Sequence, residues 1–151
     1  MNVRERYSIE PAAEADREQV LRLLQQCDLP ADGLAEHFGA CLVARREKAV
    51  AGSIALEVYG SSALLRSLAV DEADRGCGLG KALTGAVMDM AARRQITDVY
   101  LLTETASEFF VRQGFASIDR QDVPDTIKVS VEFTTACPQS ALAMHRQIRP
   151  I

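Results

Sequence analysis

The residues best suited to chemistry stand together at Arg75-Gly76-Cys77-Gly78-Leu79-Gly80-Lys81. Three glycines let an anion approach the backbone, and an arginine and a lysine supply charge. An apolar run, Leu64 to Val70, precedes them across a polar turn at Asp71–Asp74. Leu79, Leu83, Val87 and Met90 then recur at helical spacing. Strand, glycine-rich turn and helix start together predict an anion site. The first N–H groups of a helix have no partner within it, and its peptide dipoles point positive there. Spacing excludes two common phosphate loops. The P-loop places four residues between its first glycine and Gly-Lys and then Ser or Thr, whereas three separate Gly76 from Gly80-Lys81 and Ala82 follows. The dinucleotide fingerprint is G-x-G-x-x-G, whereas Gly76, Gly78 and Gly80 alternate.

Acid–base candidates are carboxylates. Glu57 lies near the end of a strand-like run next to the one that carries the loop, where it can serve as a base or a water-linked relay, or pair with Arg66. Glu104 and Glu132 are rivals for the base. Arg66 interrupts an apolar strand on the face of Leu68 and Val70. Such a charge needs a partner, either Glu57 or a substrate carboxylate. His37, in a short amphipathic piece, reads as a surface histidine. Cys77 sits in a positive setting that favours a thiolate, or simply fills the loop. Cys137 precedes Pro138 and reads as buried or as part of an acceptor pocket.

These groups need a frame. The chain has 151 residues, 48% hydrophobic and 25% charged, which is an ordinary globular composition for one domain. A net charge of −4 argues against nucleic acid as a partner. No run is long enough for a membrane span and the N-terminus lacks an apolar signal core. The expected compartment is the cytoplasm. The four cysteines are scattered without a C-x-x-C pair, so reduced thiols and no metal site are expected.

Tyr7–Pro11 reads as a first strand. Asp16 and Gln19 have capping-box spacing ahead of a Val20, Leu23, Leu24, Cys27 stripe. Cys41–Arg46 and Ala49–Tyr59 form a hairpin turning at Glu47-Lys48, with Val50, Gly52, Ile54, Leu56 and Val58 on one face. The run to Val70 adds a third antiparallel strand, and a helix to about Arg94 follows. Val99–Thr103 is the next strand, parallel to the third because a crossover helix joins them. A short helix before Gly114, strand Phe115–Asp119, a turn at Asp122–Pro124 and a last strand at Ala141–Ile148 complete the order. That last strand, if it forms an edge, offers a homodimer contact.

R-x-x-G-x-G at Arg75, Gly78 and Gly80, after Leu68-Ala69-Val70, resembles the acyl-CoA pyrophosphate loop of the GNAT N-acetyltransferase superfamily. FFVRQGF resembles that superfamily's helix-to-strand signature. LLRSLAV, RGCGLGKAL, VYLLTETASEFF, RQGF, VPDTIK, SVEF and CPQSALAM, in this order, are similar to the small acetyltransferases associated with arsenic-resistance operons. Those in turn resemble the acetyltransferase domain of N-acetylglutamate synthase. The resemblance implies an α/β GNAT fold over residues 1–151: a mixed, mostly antiparallel central sheet with a parallel pair at the CoA cleft, and helices on both faces. It implies acetyl-CoA as co-substrate and a small, amino-acid-like primary amine, arsenical amino acids included, as acceptor. Pantetheine would then lie along Leu68, Ala69 and Val70, with the pyrophosphate on Arg75, Gly76, Cys77, Gly78, Leu79, Gly80 and Lys81. Thr103, Phe109 and Phe110 would form the other wall.

Two departures accompany the likeness. Many GNAT enzymes carry a tyrosine at the position of Phe110 to protonate the leaving thiolate. Glutamate-making relatives have arginines where this chain has Pro138-Gln139 before Ser140, which argues against glutamate as acceptor. A CoA-binding regulatory domain without chemistry, and an arsenical-binding protein using thiols such as Cys77 and Cys137, are the alternative classes.

Overall fold

The computed structural model describes residues 3–151; Met1 and Asn2 lie outside the described residues. Seven strands form one sheet in the order β1-β2-β3-β4-β5-β7-β6. They are β1 (Ser8–Pro11), β2 (Cys41–Arg46), β3 (Ala49–Tyr59), β4 (Ser62–Val70), β5 (Asp98–Thr103), β6 (Ala116–Ile118) and β7 (Leu142–Gln147). The β2–β3 hairpin turns at Glu47-Lys48 as its sequence requires. The β4–β5 pair is parallel, and the other pairs are antiparallel. The last strand lies between β5 and β6, so the edges are β1 and β6 and the tail strand offers no edge for a second copy.

Helices cover both faces. On one face α3 (Leu79–Arg93) buries Leu79, Leu83 and Val87 against Ile54, Leu56 and Leu65, and Phe110 of α4 (Ser107–Arg112) joins them. On the other, α2 (Arg17–Gln26) packs Val20, Leu23 and Leu24 against Val43, Ala55 and Ala69. Farther along, Ile127 of α5 (Asp125–Lys128) and Phe133 close over Leu64, Tyr100 and Ala143. A one-turn helix, α1 (Val3–Arg6), precedes β1. Among the described residues, no helix is long and apolar enough to cross a membrane.

Three local expectations give way. Asp16 does not cap α2. Its carboxylate accepts from the Ala13 N–H (2.7 Å) and from both terminal nitrogens of Arg45 (2.8 and 2.6 Å), which tie it to the sheet. In β3 the register passes from Ala44↔Gly52 to Arg45↔Val50, leaving Ala51 as an extra residue. Val50 therefore turns to the α2 face while Ile54 and Leu56 face α3. In β4 the register passes from Ser53↔Ala69 to Ala55↔Arg66, a second bulge at Ser67-Leu68. Leu68 and Val70 stay on the α3 side with Leu65, and Arg66 points to the opposite one. An extra residue reverses the two-residue alternation, so Arg66 does not share the face of Leu68 and Val70.

Candidate active site

The second bulge makes the site. Parallel pairing of β4 with β5 runs from Ser62↔Asp98 to Leu64↔Tyr100 and stops. Ser67 takes a φ of 61°, a left-handed conformation that a non-glycine residue adopts at a cost. It is held there by Ser53 Oγ donating to its carbonyl (2.9 Å) and Arg66 Nε donating to its hydroxyl (3.0 Å). Past this point the strands part, and a cleft of about 1040 Å³ opens between them. Leu68, Ala69 and Val70 line one side; Thr103, Phe109 and Phe110 line the other. The Thr103 hydroxyl accepts from the Ala106 N–H (3.0 Å), which turns the chain from β5 into α4.

One end of the cleft runs into the glycine-rich loop. Gly76 and Gly78 have φ of 82° and 89°, values that favour glycine. Gly78 is the N-cap of α3 and offers no side chain to its N–H groups, and the first turn contains no acid. A hollow of about 250 Å³ here is lined by Gly76, Gly78, Leu79, Gly80 and Lys81. Backbone donors and the positive helix end therefore face open space. Arg75 lies between the two spaces, its Nε on the Val70 carbonyl (3.1 Å) and one terminal nitrogen near Cys27 Sγ (3.5 Å).

Cys77 is the exception in this loop. It lines neither space, because its thiol turns inward to the Asp74 carbonyl (3.2 Å) and the Tyr7 hydroxyl. Sequence reasoning missed the brace beneath it. Buried Asp74 accepts from the Tyr7 hydroxyl (2.6 Å) and Arg46 Nε (2.9 Å), fastening the loop to the start of β1 and the end of β2. Burial pushes the Asp74 carboxyl up, but the hydrogen bonds from Arg46 and Tyr7 together outweigh it and hold it below its ordinary value. The Tyr7 hydroxyl, bonded to that carboxylate and buried, is pushed up to about 12.

The other end of the cleft is built from side chains of distant segments. The Arg66 side chain is fully buried. Its nitrogens donate to Glu57 Oε2 (2.7 Å), the Asp32 carbonyl (2.7 Å), the Pro30 carbonyl (3.1 Å) and Ser67 Oγ. Glu57 is the partner, and no exposed face of the guanidinium remains for a substrate carboxylate. Glu57 is 1% exposed, accepts from the Tyr59 hydroxyl as well as Arg66, and does not line the cleft. Burial pushes its carboxyl up, but the hydrogen bonds from Tyr59 and Arg66 outweigh it, so the net shift is downward. In this structure Glu57 does not line the cleft, and the Arg66 side chain, expected to meet either Glu57 or a substrate carboxylate, is bonded to Glu57 and to backbone carbonyls. His37, expected at the surface, is partly buried, with Nε2 3.7 Å from Glu57 Oε1.

Glu132 does line the cleft, from a π-helical turn at Glu132–Ala136. Burial pushes its carboxyl up to about 7. Cys137 also faces the cleft, and burial raises its thiol to about 12, which keeps it protonated at neutral pH. Among the described residues, no group of three or more His, Cys, Asp and Glu side chains is placed to hold a metal ion.

The structure is thus an open mixed sheet whose parallel pair parts at a cleft, with a glycine-rich loop and an uncapped helix start at one end. Residues 37–117 match the family model for the acetyltransferase (GNAT) domain, and the chain belongs to that family. N-acetylglutamate synthase from Neisseria gonorrhoeae, solved with coenzyme A and N-acetyl-glutamate, superposes with a TM-score of 0.81 at 18% identity. The match covers 95% of this chain and 35% of that one, so the chain spans about a third of the synthase's length. Rv2747 from Mycobacterium tuberculosis, solved in complex with CoA, gives a TM-score of 0.80 at 24% identity, covering 93% of this chain and 99% of that one. The ribosomal-protein-S18-alanine N-acetyltransferase from Escherichia coli gives 0.75 at 19% identity, covering 96% of both chains. At these identities the superpositions establish the fold.

Proposed function

We propose that residues 1–151 act as one N-acetyltransferase domain that moves the acetyl group of acetyl-CoA directly to the primary amine of a small, amino-acid-like acceptor. The observation that carries this reading is the cleft itself. It opens where β4 and β5 part, ends in uncapped helix N–H groups at one side, and ends in a buried carboxylate at the other. The residues present fit the co-substrate. The first turn of α3, with Lys81, offers donors and positive charge to a pyrophosphate, and Arg75 stands where it can reach one. The strand edges at Leu68–Val70 and Thr103, with the rings of Phe109 and Phe110, suit an extended amide-bearing arm. Acetyl-CoA, when bound, supplies the acyl carbon and a thiol leaving group. The chain's own groups position the arm, offer strand N–H donors to the thioester carbonyl, and take up the acceptor's proton. Phe110 gives no proton to the leaving sulfur, and a thiolate departs tolerably without one near neutral pH.

The amino-acid-like acceptor, with arsenical amino acids in the tested class, rests on the resemblance of the tail segments. Because Arg66 is fully engaged, an acceptor carboxylate would have to find its donors elsewhere in the cleft. The test is thiol release from acetyl-CoA across amino acids, aminophosphonates, arsenical amino acids and simple diamines. Turnover on one acceptor, with Arg75→Ala raising the KM for acetyl-CoA about tenfold through a lost charge-assisted contact, supports the reading. Acetyl-CoA binding without release on any acceptor would replace it with a CoA-binding regulatory domain, the alternative that Phe110 favours.

A further inference from the structure

The acceptor end of the cleft holds more negative charge than its arginine can balance. Glu132 is 4% exposed, yet it lines the cleft. Its backbone N–H is fixed by Ser130 Oγ (3.1 Å), which sets the start of the π-helical turn. Among the described residues no hydrogen bond reaches its carboxylate, and its contact is an ion pair with Arg66 Nε at 3.5 Å. That guanidinium is already paired with Glu57 at the shorter distance of 2.7 Å. Two buried carboxylates thus share one arginine, and the one left over faces the cleft. Such an arrangement is completed by a proton or by a cation.

We propose that Glu132 is the catalytic base that takes the proton from the acceptor's ammonium group. This rests on the acetyl-transfer reading above and adds the residue that makes the amine reactive. Position supports it. Arg66 Nε, which touches Glu132, also bonds Ser67 at the bulge, so the carboxylate stands near the point where β4 and β5 part and lines the same cleft as Leu68. The groups that face it are Arg66 from β4, Glu57 from β3, Asp32 from the segment after α2 and Cys137 from the segment after its own turn. Burial dominates these influences, Arg66 opposes it, and Glu57 and Asp32 reinforce it, for a value of about 7. A base at that value is ionised often enough at neutral pH and strong enough to accept a proton. Glu57, held below the ordinary range and turned away from the cleft, is not.

The protons balance. An ammonium nitrogen begins with three and ends, as a secondary amide, with one. Glu132 takes the first and returns it to solvent; the second ends on the released thiol as the C–N bond forms and the C–S bond breaks.

The experiment has two parts. First, the carboxyl infrared band of carbon-13-glutamate-labelled protein, assigned by its loss in Glu132→Gln, is titrated without acceptor. A midpoint near the value above is expected, and a midpoint in the ordinary carboxylate range overturns the proposal. Second, Glu132→Gln and wild type are compared with acetyl-CoA and two nucleophiles: the best amine from the thiol-release panel, and hydroxylamine, which is already neutral at neutral pH. Loss of about 100-fold or more in kcat/KM for the amine is expected, shrinking as pH rises, with hydroxylamine turnover kept within a few-fold. Equal losses on both nucleophiles, at an unchanged thermal midpoint, overturn the base role. A wild type inert to both nucleophiles overturns the acetyl-transfer reading and the base with it, whereas turnover unaffected by Glu132→Gln overturns the base alone.

Discussion

The two ends of the cleft are made in different ways. The anion end is local: Val70 to Lys81 supplies a strand end, a turn and a helix start, and its donors are backbone groups. The other end, where we propose that the acceptor binds, is assembled from Pro30, Asp32, Glu57, Arg66, Glu132 and Cys137, on segments far apart in the chain, around a buried guanidinium between two carboxylates. Backbone donors at a helix end cost little to keep, whereas losing the buried guanidinium leaves Glu57, Glu132 and two backbone carbonyls without a partner. The anion end should therefore tolerate change that the acceptor end does not.

The largest effect should come from Arg66→Met. Removing the guanidinium leaves Glu57 and Glu132 without their cation and strips the Pro30 and Asp32 carbonyls of donors. A loss of about 3–5 kcal/mol in urea unfolding is expected. The anion end should respond less. Tyr7→Phe removes one hydrogen bond to the Asp74 carboxylate while Arg46 stays, and should cost about 1.5 kcal/mol in the same assay. Gly76→Ala should cost about 1 kcal/mol, since an added Cβ meets nothing within 4 Å and the cost lies in the positive φ. Equal losses at the two ends would break the comparison.

The same contrast extends to pH. Asp74 and Asp16 are held below the ordinary carboxylate value, Asp16 first by the hydrogen bonds from Arg45. Their stabilisation is present above the unfolded value of 3.8 and is lost as pH falls through their folded values. Glu132 has the opposite sign. Raised from 4.5 to about 7, it stabilises fully below the lower figure, and that contribution is lost as pH rises through the upper one. The urea midpoint should fall gently between those two values in wild type, and Glu132→Gln should flatten this limb. Asp74→Asn should instead flatten the acid limb.

This division also explains what the sequence could tell. Element order, the hairpin at Glu47-Lys48, the parallel pair and the loop were legible because each is written in neighbouring residues. Gly52, beside the extra Ala51, is the one local sign of the first bulge. The bulge at Ser67-Leu68 has no glycine or proline beside it, and a period-two reading therefore places Arg66 on the face of Leu68 and Val70. Asp16 had the spacing of a cap, but Arg45, far along the chain, claims it. α1, Val-Arg-Glu-Arg, is too short and polar to show a periodicity. Glu132 stood out only as one carboxylate among several. Its isolation comes from burial and from Arg66 being spent on Glu57, which only the folded chain reveals.

The most direct test of the central claim is calorimetric titration of acetyl-CoA into wild type and Gly80→Glu. Gly80 lies in the first turn of α3, where an added Cβ comes no closer than 3.6 Å to the Phe109 ring. A glutamate suits a helix start, so the fold should hold its thermal midpoint while a fixed negative charge occupies the anion site. Saturable binding to wild type, weakened about 100-fold or more in Gly80→Glu through lost charge-assisted contacts, is the expected result. Equal affinity for both proteins, or no binding to either, would contradict it.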